Sequence, residues 1–161
     1  MAKASELKTN VMRILDQKKT VYQARQYPHG DEAVDGVSVA RLLGQDPDTV
    51  FKTLVTRGAS GTHYVFVIPV ARELDLKKAA RAVGEKSIAM IHVSEITALT
   101  GYVRGGCSPI GMKKQFATTY DQSALEHGVI AVSAGKIGFQ VELSPQDLAR
   151  LTRGQFADLV M

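Results

Sequence analysis

The chain is poor in cysteine and in aromatic residues. Among its 161 residues there is one cysteine, Cys107, there is no tryptophan, and aromatics make up 6%. A single cysteine excludes an internal disulfide, and with it the disulfide-rich secreted scaffolds, and it fits a reducing cytoplasm. The low aromatic content argues against a broad surface that binds nucleic acid by stacking on its bases.

The chain also lacks a long apolar run. The longest one, residues 64–71, contains Pro69 and is far too short to cross a bilayer. The first six residues show no apolar core of a signal peptide. We therefore expect a cytoplasmic protein with no membrane partner.

The signatures of metal and cofactor enzymes are missing as well. No pair of the four histidines has the spacing of zinc ligands, and no P-loop, dinucleotide fingerprint or Gly-x-Ser-x-Gly elbow occurs. We expect no metal and no small-molecule cofactor. The candidate bases for Cys107 are His92 and His127, and the sequence places neither beside it. A thiol needs a neighbouring base or cation to form thiolate, so we predict that Cys107 is not a nucleophile.

Length and composition predict one domain over residues 1–161, and the alternation of helices and strands predicts an α/β (α+β) fold. Twenty Lys and Arg against 16 Asp and Glu give a net charge of +4, which suits an anionic partner such as RNA without singling one out. Apolar periodicity indicates about six strands and five helices.

The predicted elements alternate along the chain. Apolar spacing and capping residues predict helices over residues 5–18, 37–43, 75–84 and 94–101 (the last capped by Ser94), a helical turn after Asp46, and a closing helix from Ser144. Alternation predicts strands over residues 51–57, 64–70, 87–91, 117–120, 129–133 and 138–143, after an extended stretch over 21–27 and a loop over 28–31. The strands over 51–57 and 64–70 are expected to form an antiparallel hairpin.

Three short segments are candidates for a site. Lys52 lies in the apolar strand VFKTL, where it either serves a pocket or extends its ammonium to solvent at an edge. The segment GGCSPIG over residues 105–111 brings backbone N–H groups close to a ligand, or is a tight structural loop. The segment SAGK over residues 133–136 is a hairpin turn, whose functional interpretation depends on its folding beside the first glycine segment.

Together and in this order, the three segments resemble those of the YbaK family of Cys-tRNA(Pro) deacylases, which is related to the editing domain of prolyl-tRNA synthetases. The resemblance runs along nearly the whole chain. It implies a curved, mixed β-sheet resembling a partial barrel, with helices around it. It also implies an enzyme that removes cysteine from the 3′ end of mischarged proline tRNA, or from Cys-tRNA(Cys), with prolyl-tRNA synthetase as a further partner and no DNA partner.

The resemblance also implies roles for residues. It makes Lys52 the essential lysine, which holds the terminal phosphate or the aminoacyl carbonyl, and it gives Gly105 and Gly106 backbone amides that polarise this carbonyl. The expected substrate-binding residues are Tyr27, Thr53, Ser108, Pro109, Gly111, Ser133, Gly135, Lys136 and Gln140. It further implies that the thiol of the substrate attacks its own carbonyl, so that no protein nucleophile is needed.

One position departs from the family pattern. Many members carry an aspartate seven residues after the serine, where this chain has Gln140. Glutamine keeps hydrogen bonding and loses the charge, which leaves the substrate preference open. The alternatives are an enzyme that edits another mischarged tRNA, such as Ala-tRNA(Pro), and a module that binds tRNA or synthetase without catalysis.

Overall fold

A computed structural model describes residues 8–30, 32 and 34–161. In this part of the chain the α-helices are α1 (Asn10–Gln17), α2 (Gly36–Leu42), α3 (Leu76–Val83), α4 (Val93–Thr100) and α5 (Pro145–Thr152). The strands are β1 (Gln23–Gln26), β2 (Phe51–Gly58), β3 (His63–Pro69), β4 (Ile88–Met90), β5 (Ala117–Asp121), β6 (Ile130–Ser133), β7 (Phe139–Leu143) and β8 (Gln155–Ala157). Two short 3₁₀ helices cover Pro47–Thr49 and Gln122–Glu126.

Helix α1 begins later than its apolar spacing predicts. The Thr9 side chain accepts a hydrogen bond from the backbone N–H of Met12, so Thr9 caps a helix that starts at Asn10. The predicted start at residue 5 lies outside the described residues, and residues 8 and 9 are not helical. Asp31, in the predicted loop over 28–31, also lies outside them.

The caps of α3 and α4 show how side chains set helix ends. Asp75 accepts from the N–H groups of residues 77 and 78, and Gly84 ends α3 with a φ of +73°, as predicted. The predicted Ser94 cap of α4 is wrong, because the helix begins two residues earlier, after His92. There the Glu95 carboxylate accepts the His92 backbone N–H at 3.0 Å.

The strands form two sheets, which confirms the expected α/β fold with mixed pairing. One sheet has the order β4-β2-β3-β5-β8 and the other the order β1-β7-β6. The predicted hairpin of β2 and β3 is antiparallel, with Lys52 opposite Ile68. Strand β8, which the sequence did not predict, joins β5 in parallel.

A shared core and one bridge connect the sheets. Val11 and Leu15 of α1 pack with Val65 of β3 and Val141 of β7 in one buried cluster. A parallel bridge joins Val50, directly before β2, to Ala131 in β6.

The sheets separate beyond this bridge. On the side of β2 away from β3, β4 pairs only with residues 56–58. No described strand pairs with that edge of β2 over residues 51–55. This part of β2 therefore lines an opening toward β6. No helix in the described part of the chain is long and apolar enough to cross a membrane.

Candidate active site

A cavity of about 930 Å³ lies where the two sheets separate. Its walls come from β2, the β6–β7 hairpin, the start of α2 and the loop between α4 and β5. The predicted site residues that line it are Tyr27, Lys52, Thr53, Gly105, Ser133 and Gln140. The fold thus brings the three separate sequence segments to one hollow.

Lys52 is half-buried in the wall formed by β2. Among the described residues, no carboxylate lies within 4.0 Å of its ammonium group. Arg104 lines the same cavity as a second cation, and the acidic side chains of Glu32 and Asp35 line it as well. Because Asp35 also caps α2, accepting from the N–H of Ser38 at 3.4 Å, part of its charge serves the helix.

Thr53 lines the cavity and carries a buried polar atom without a partner among the described residues. Its hydroxyl oxygen is buried and finds no hydrogen-bond partner in the described part of the chain. A buried hydroxyl without a partner loses free energy relative to its hydrated state. Because this oxygen has almost no accessible surface, it lies beneath the cavity wall, and a ligand in the cavity does not reach the Thr53 hydroxyl.

The glycine segments meet each other, but their two central amides differ. Gly105 has a φ of +85°, and no acceptor for its N–H is present among the described residues. The N–H of Gly106 donates to the carbonyl of Val103 at 3.0 Å, so it is not free to polarise a substrate, contrary to expectation. A Cβ at Gly106 would lie 3.2 Å from the nitrogen of Ile137, so the two segments pack main chain to main chain.

Ser133 and Gln140 face each other across the β6–β7 hairpin, where they are register partners. The Ser133 hydroxyl accepts from the N–H of Gly135 at 3.1 Å, which leaves its own hydrogen free to donate. Gln140 is 3% exposed and exchanges two hydrogen bonds with the side-chain amide of Gln45. The wall at this position is therefore polar and neutral.

The other predicted site residues lie outside the cavity lining, namely Gly106, Ser108, Pro109, Gly111, Gly135 and Lys136. The buried Ser108 hydroxyl accepts from the N–H of Ile110 at 3.3 Å, which shapes the loop. A Cβ at Gly111 would lie 2.9 Å from the hydroxyl oxygen of Tyr102, and a Cβ at Gly135 would lie 3.0 Å from the ring of Tyr102. These glycines let Tyr102 pack between the two segments, which is a structural role.

Cys107 lines the cavity as a thiol rather than a thiolate. Burial raises the pKa of Cys107 to about 11, against a smaller opposing contribution from a hydrogen bond with Thr100. At neutral pH a thiol with this pKa is almost wholly protonated and a poor nucleophile.

Comparison with known proteins places the chain in a family. The family described as the aminoacyl-tRNA editing domain matches residues 31–151. The chain belongs to this family. An Enterococcus faecalis protein, which carries the provisional name Cys-tRNA(Pro)/Cys-tRNA(Cys) deacylase EbsC, is 46% identical over 157 residues, 98% of this chain and 96% of that protein. The predicted relation to YbaK-type editing proteins is confirmed.

Solved structures show the same fold. The crystal structure of the hypothetical protein APE2540 superimposes with a TM-score of 0.84 at 22% identity, covering 95% of this chain and all (100%) of that one. A protein provisionally named a trans-editing enzyme for prolyl-tRNA synthetase superimposes with a TM-score of 0.81 at 24% identity, covering 96% and 99%.

The editing domain holds cavity residues that the sequence did not single out. Arg104 and Ile137 lie in the cavity walls, each directly beside one of the three segments that the sequence identified, and Phe139 lies there directly before Gln140. The sequence signal that could have identified Arg104 is its position directly before Gly105, at the start of the glycine segment. Tyr27 lines the cavity although it lies before the matched range.

Proposed function

We propose that this protein is a trans-editing deacylase that removes cysteine from mischarged Cys-tRNA(Pro). The observation that carries the proposal is that Lys52, Gly105 and Ser133 line one cavity, where the N–H of Gly105 has no acceptor among the described residues. The editing-domain family and the name of the Enterococcus faecalis relative support the same substrate class. Cys-tRNA(Cys), which that name also contains, is a second substrate to test.

The cavity offers complementary groups to the 3′ end of a charged tRNA. Lys52 and Arg104 supply positive charge for the terminal phosphate. We assign the N–H of Gly105 to donate to the aminoacyl carbonyl oxygen as negative charge develops on it. We assign the Ser133 hydroxyl and the Gln140 amide to contact the aminoacyl group.

The cleavage step uses the thiol of the substrate itself. The cysteine sulfur attacks the ester carbonyl carbon, a carbon–sulfur bond forms, and the bond from that carbon to the ribose oxygen breaks. The thiol proton ends on the ribose oxygen, and the amino acid leaves as a four-membered cyclic thioester that water opens to free cysteine. Holding sulfur and carbonyl together is the main contribution of the protein, because a well-oriented intramolecular reaction gains a large effective concentration.

This route needs no nucleophile from the protein. Cys107 lies in the cavity, yet its raised pKa of about 11 keeps it protonated at neutral pH. Editing is chemically required because cysteine and proline are similar in size, and a binding pocket gains only about 1–3 kcal/mol from one small group. We propose that the whole chain, residues 1–161, acts as one editing domain in the cytoplasm, with prolyl-tRNA synthetase as its partner.

The test is amino-acid release from tRNA(Pro) charged with cysteine, alanine or serine, and from Cys-tRNA(Cys). Cysteine should be released much faster than alanine, because alanine has no thiol to attack the carbonyl. Equal rates for cysteine and alanine would contradict the substrate-assisted step and favour attack by water. If no aminoacyl-tRNA is deacylated, the protein is a binding module and the proposal is wrong.

A further inference from the structure

Gln140 belongs to a pair of side-chain amides. The Nε2 of Gln45 donates to the Oε1 of Gln140 at 2.6 Å, and the Nε2 of Gln140 donates to the Oε1 of Gln45 at 3.2 Å. Gln140 lines the cavity, whereas Gln45 is half-buried and lies behind it. A side chain that faces the cavity is therefore held by one that does not.

The end of α2 fixes the backbone of Gln45. Its N–H donates to the carbonyl of Ala40 at 2.8 Å, and the N–H of Gly44 donates to the carbonyl of Arg41 at 3.2 Å. Gly44 has a φ of +65°, so these bonds form the Schellman motif that closes a helix. The position from which Gln45 reaches Gln140 is thus set by a helix end.

A carboxylate decides which way the Gln45 amide points. The Nε2 of Gln45 also donates to Glu142 at 3.0 Å, and the other oxygen of Glu142 accepts from Arg25 at 2.9 Å. A carboxylate in an ion pair only accepts hydrogen bonds, so the nitrogen of Gln45, and not its oxygen, faces Glu142. Because that nitrogen also faces the Oε1 of Gln140, the order of oxygen and nitrogen in Gln140 is fixed in turn.

We infer that Gln45 and Glu142 are positioning residues that set how the cavity discriminates between aminoacyl groups. This inference rests on the proposed editing function. Gln140 uses one amide hydrogen and one lone pair of its oxygen in the pair with Gln45. Its second hydrogen and second lone pair remain, in a fixed order, for the aminoacyl group. Without Gln45 the amide is free to rotate, and this order is lost.

The first test replaces Gln45 with leucine, which keeps the size and removes both amide contacts. The ratio of kcat/KM for Cys-tRNA(Pro) over Ala-tRNA(Pro) should fall about two- to tenfold, the contribution of one neutral hydrogen bond. The control is Gln122→Leu, at an exposed glutamine outside the cavity lining. A lower melting temperature with an unchanged ratio would mean a purely structural role and would overturn the inference.

A double-mutant cycle tests whether Gln45 acts through Gln140. In a Gln140→Leu background, Gln45→Leu should leave the ratio unchanged, because the amide that it orients is gone. A further loss as large as in the wild-type background would contradict this. Glu142→Gln should also lower the ratio. A glutamine at this position can donate as well as accept, so it no longer requires the nitrogen of Gln45 to face it. An unchanged ratio removes Glu142 from the inference.

A spectroscopic measurement separates this inference from the proposed function. The side-chain NH₂ signals of Gln140, assigned by their loss in Gln140→Leu, should shift and exchange faster with solvent in Gln45→Leu. Unchanged signals would overturn the positioning role whether or not the protein deacylates tRNA. If the signals shift as expected but the wild-type protein releases no amino acid, the proposed function alone fails.

Discussion

Replacing Gly106 with alanine perturbs the contact between the two glycine segments. A Cβ at this position would lie 3.2 Å from the nitrogen of Ile137 and 3.3 Å from two backbone atoms of Lys136. Backbone atoms cannot rotate away as a flexible side chain does, so the segments must move apart by a few tenths of an ångström. Gly105 and Ser133 belong to the two segments on either side of this contact, so the distance between them changes.

The size of the effect follows from this crowding. One methyl group forced into a well-packed contact costs about 1–3 kcal/mol of the free energy of unfolding. In a chain of this size, that lowers the melting temperature by roughly 2–12 °C. The free N–H of Gly105 is also displaced from the carbonyl, so we expect kcat to fall by about tenfold or more, with a smaller change in KM.

The assay combines thermal unfolding with steady-state release of cysteine from Cys-tRNA(Pro). Gly128→Ala is the matched control, because a Cβ at Gly128 has no neighbour within 4 Å and its φ is not positive. This control should keep its activity and change stability by less than about 1 kcal/mol. Wild-type stability and activity in Gly106→Ala would refute the account of the two segments as one packed support for the site.

The further predictions concern two residues of the cavity wall, Thr53 and Cys107. Thr53→Val should raise the melting temperature, because it removes a buried hydroxyl that has no partner among the described residues; a lower melting temperature would contradict this. Burial raises the pKa of Cys107 from 9.0 to about 11, so iodoacetamide should alkylate this thiol about a hundredfold more slowly at pH 8 than a free thiol. The free energy of unfolding should fall as pH rises from 9 to 11, because the thiol ionises in the unfolded chain before it does in the folded one. Cys107→Ser should remain active and lose that part of the pH dependence, whereas an inactive variant would restore covalent catalysis by Cys107.

Local sequence signals predicted most of the fold. The alternating residues of β2 and β3 and the flanking Asp75 and Gly84 of α3 act within a few residues, and the structure has them as predicted. His92 was missed because histidine is a rare helix cap, whereas Ser94 two residues later is a favoured one. Strand β8 was missed because its three residues pair in parallel with a distant strand, which leaves no local pattern.

The sequence could place the site segments but not their hydrogen bonds. The meeting of Lys52 with the glycine segment in one cavity agrees with the prediction. The commitment of the Gly106 N–H to Val103 depends on the turn geometry, which the residue types do not determine. The pairing of Gln45 with Gln140 joins side chains 95 positions apart, and no spacing rule connects them.

The account depends most on Lys52, which lines the cavity and whose ammonium group has no carboxylate partner among the described residues. The decisive measurement is single-turnover release of cysteine from Cys-tRNA(Pro) by Lys52→Ala, with Lys86→Ala at an exposed lysine as the control. Loss of a charge-assisted contact costs about 1.5–3 kcal/mol, so Lys52→Ala should be slower by at least about tenfold and should fold as the wild type does. Wild-type release by a folded Lys52→Ala protein would contradict the account.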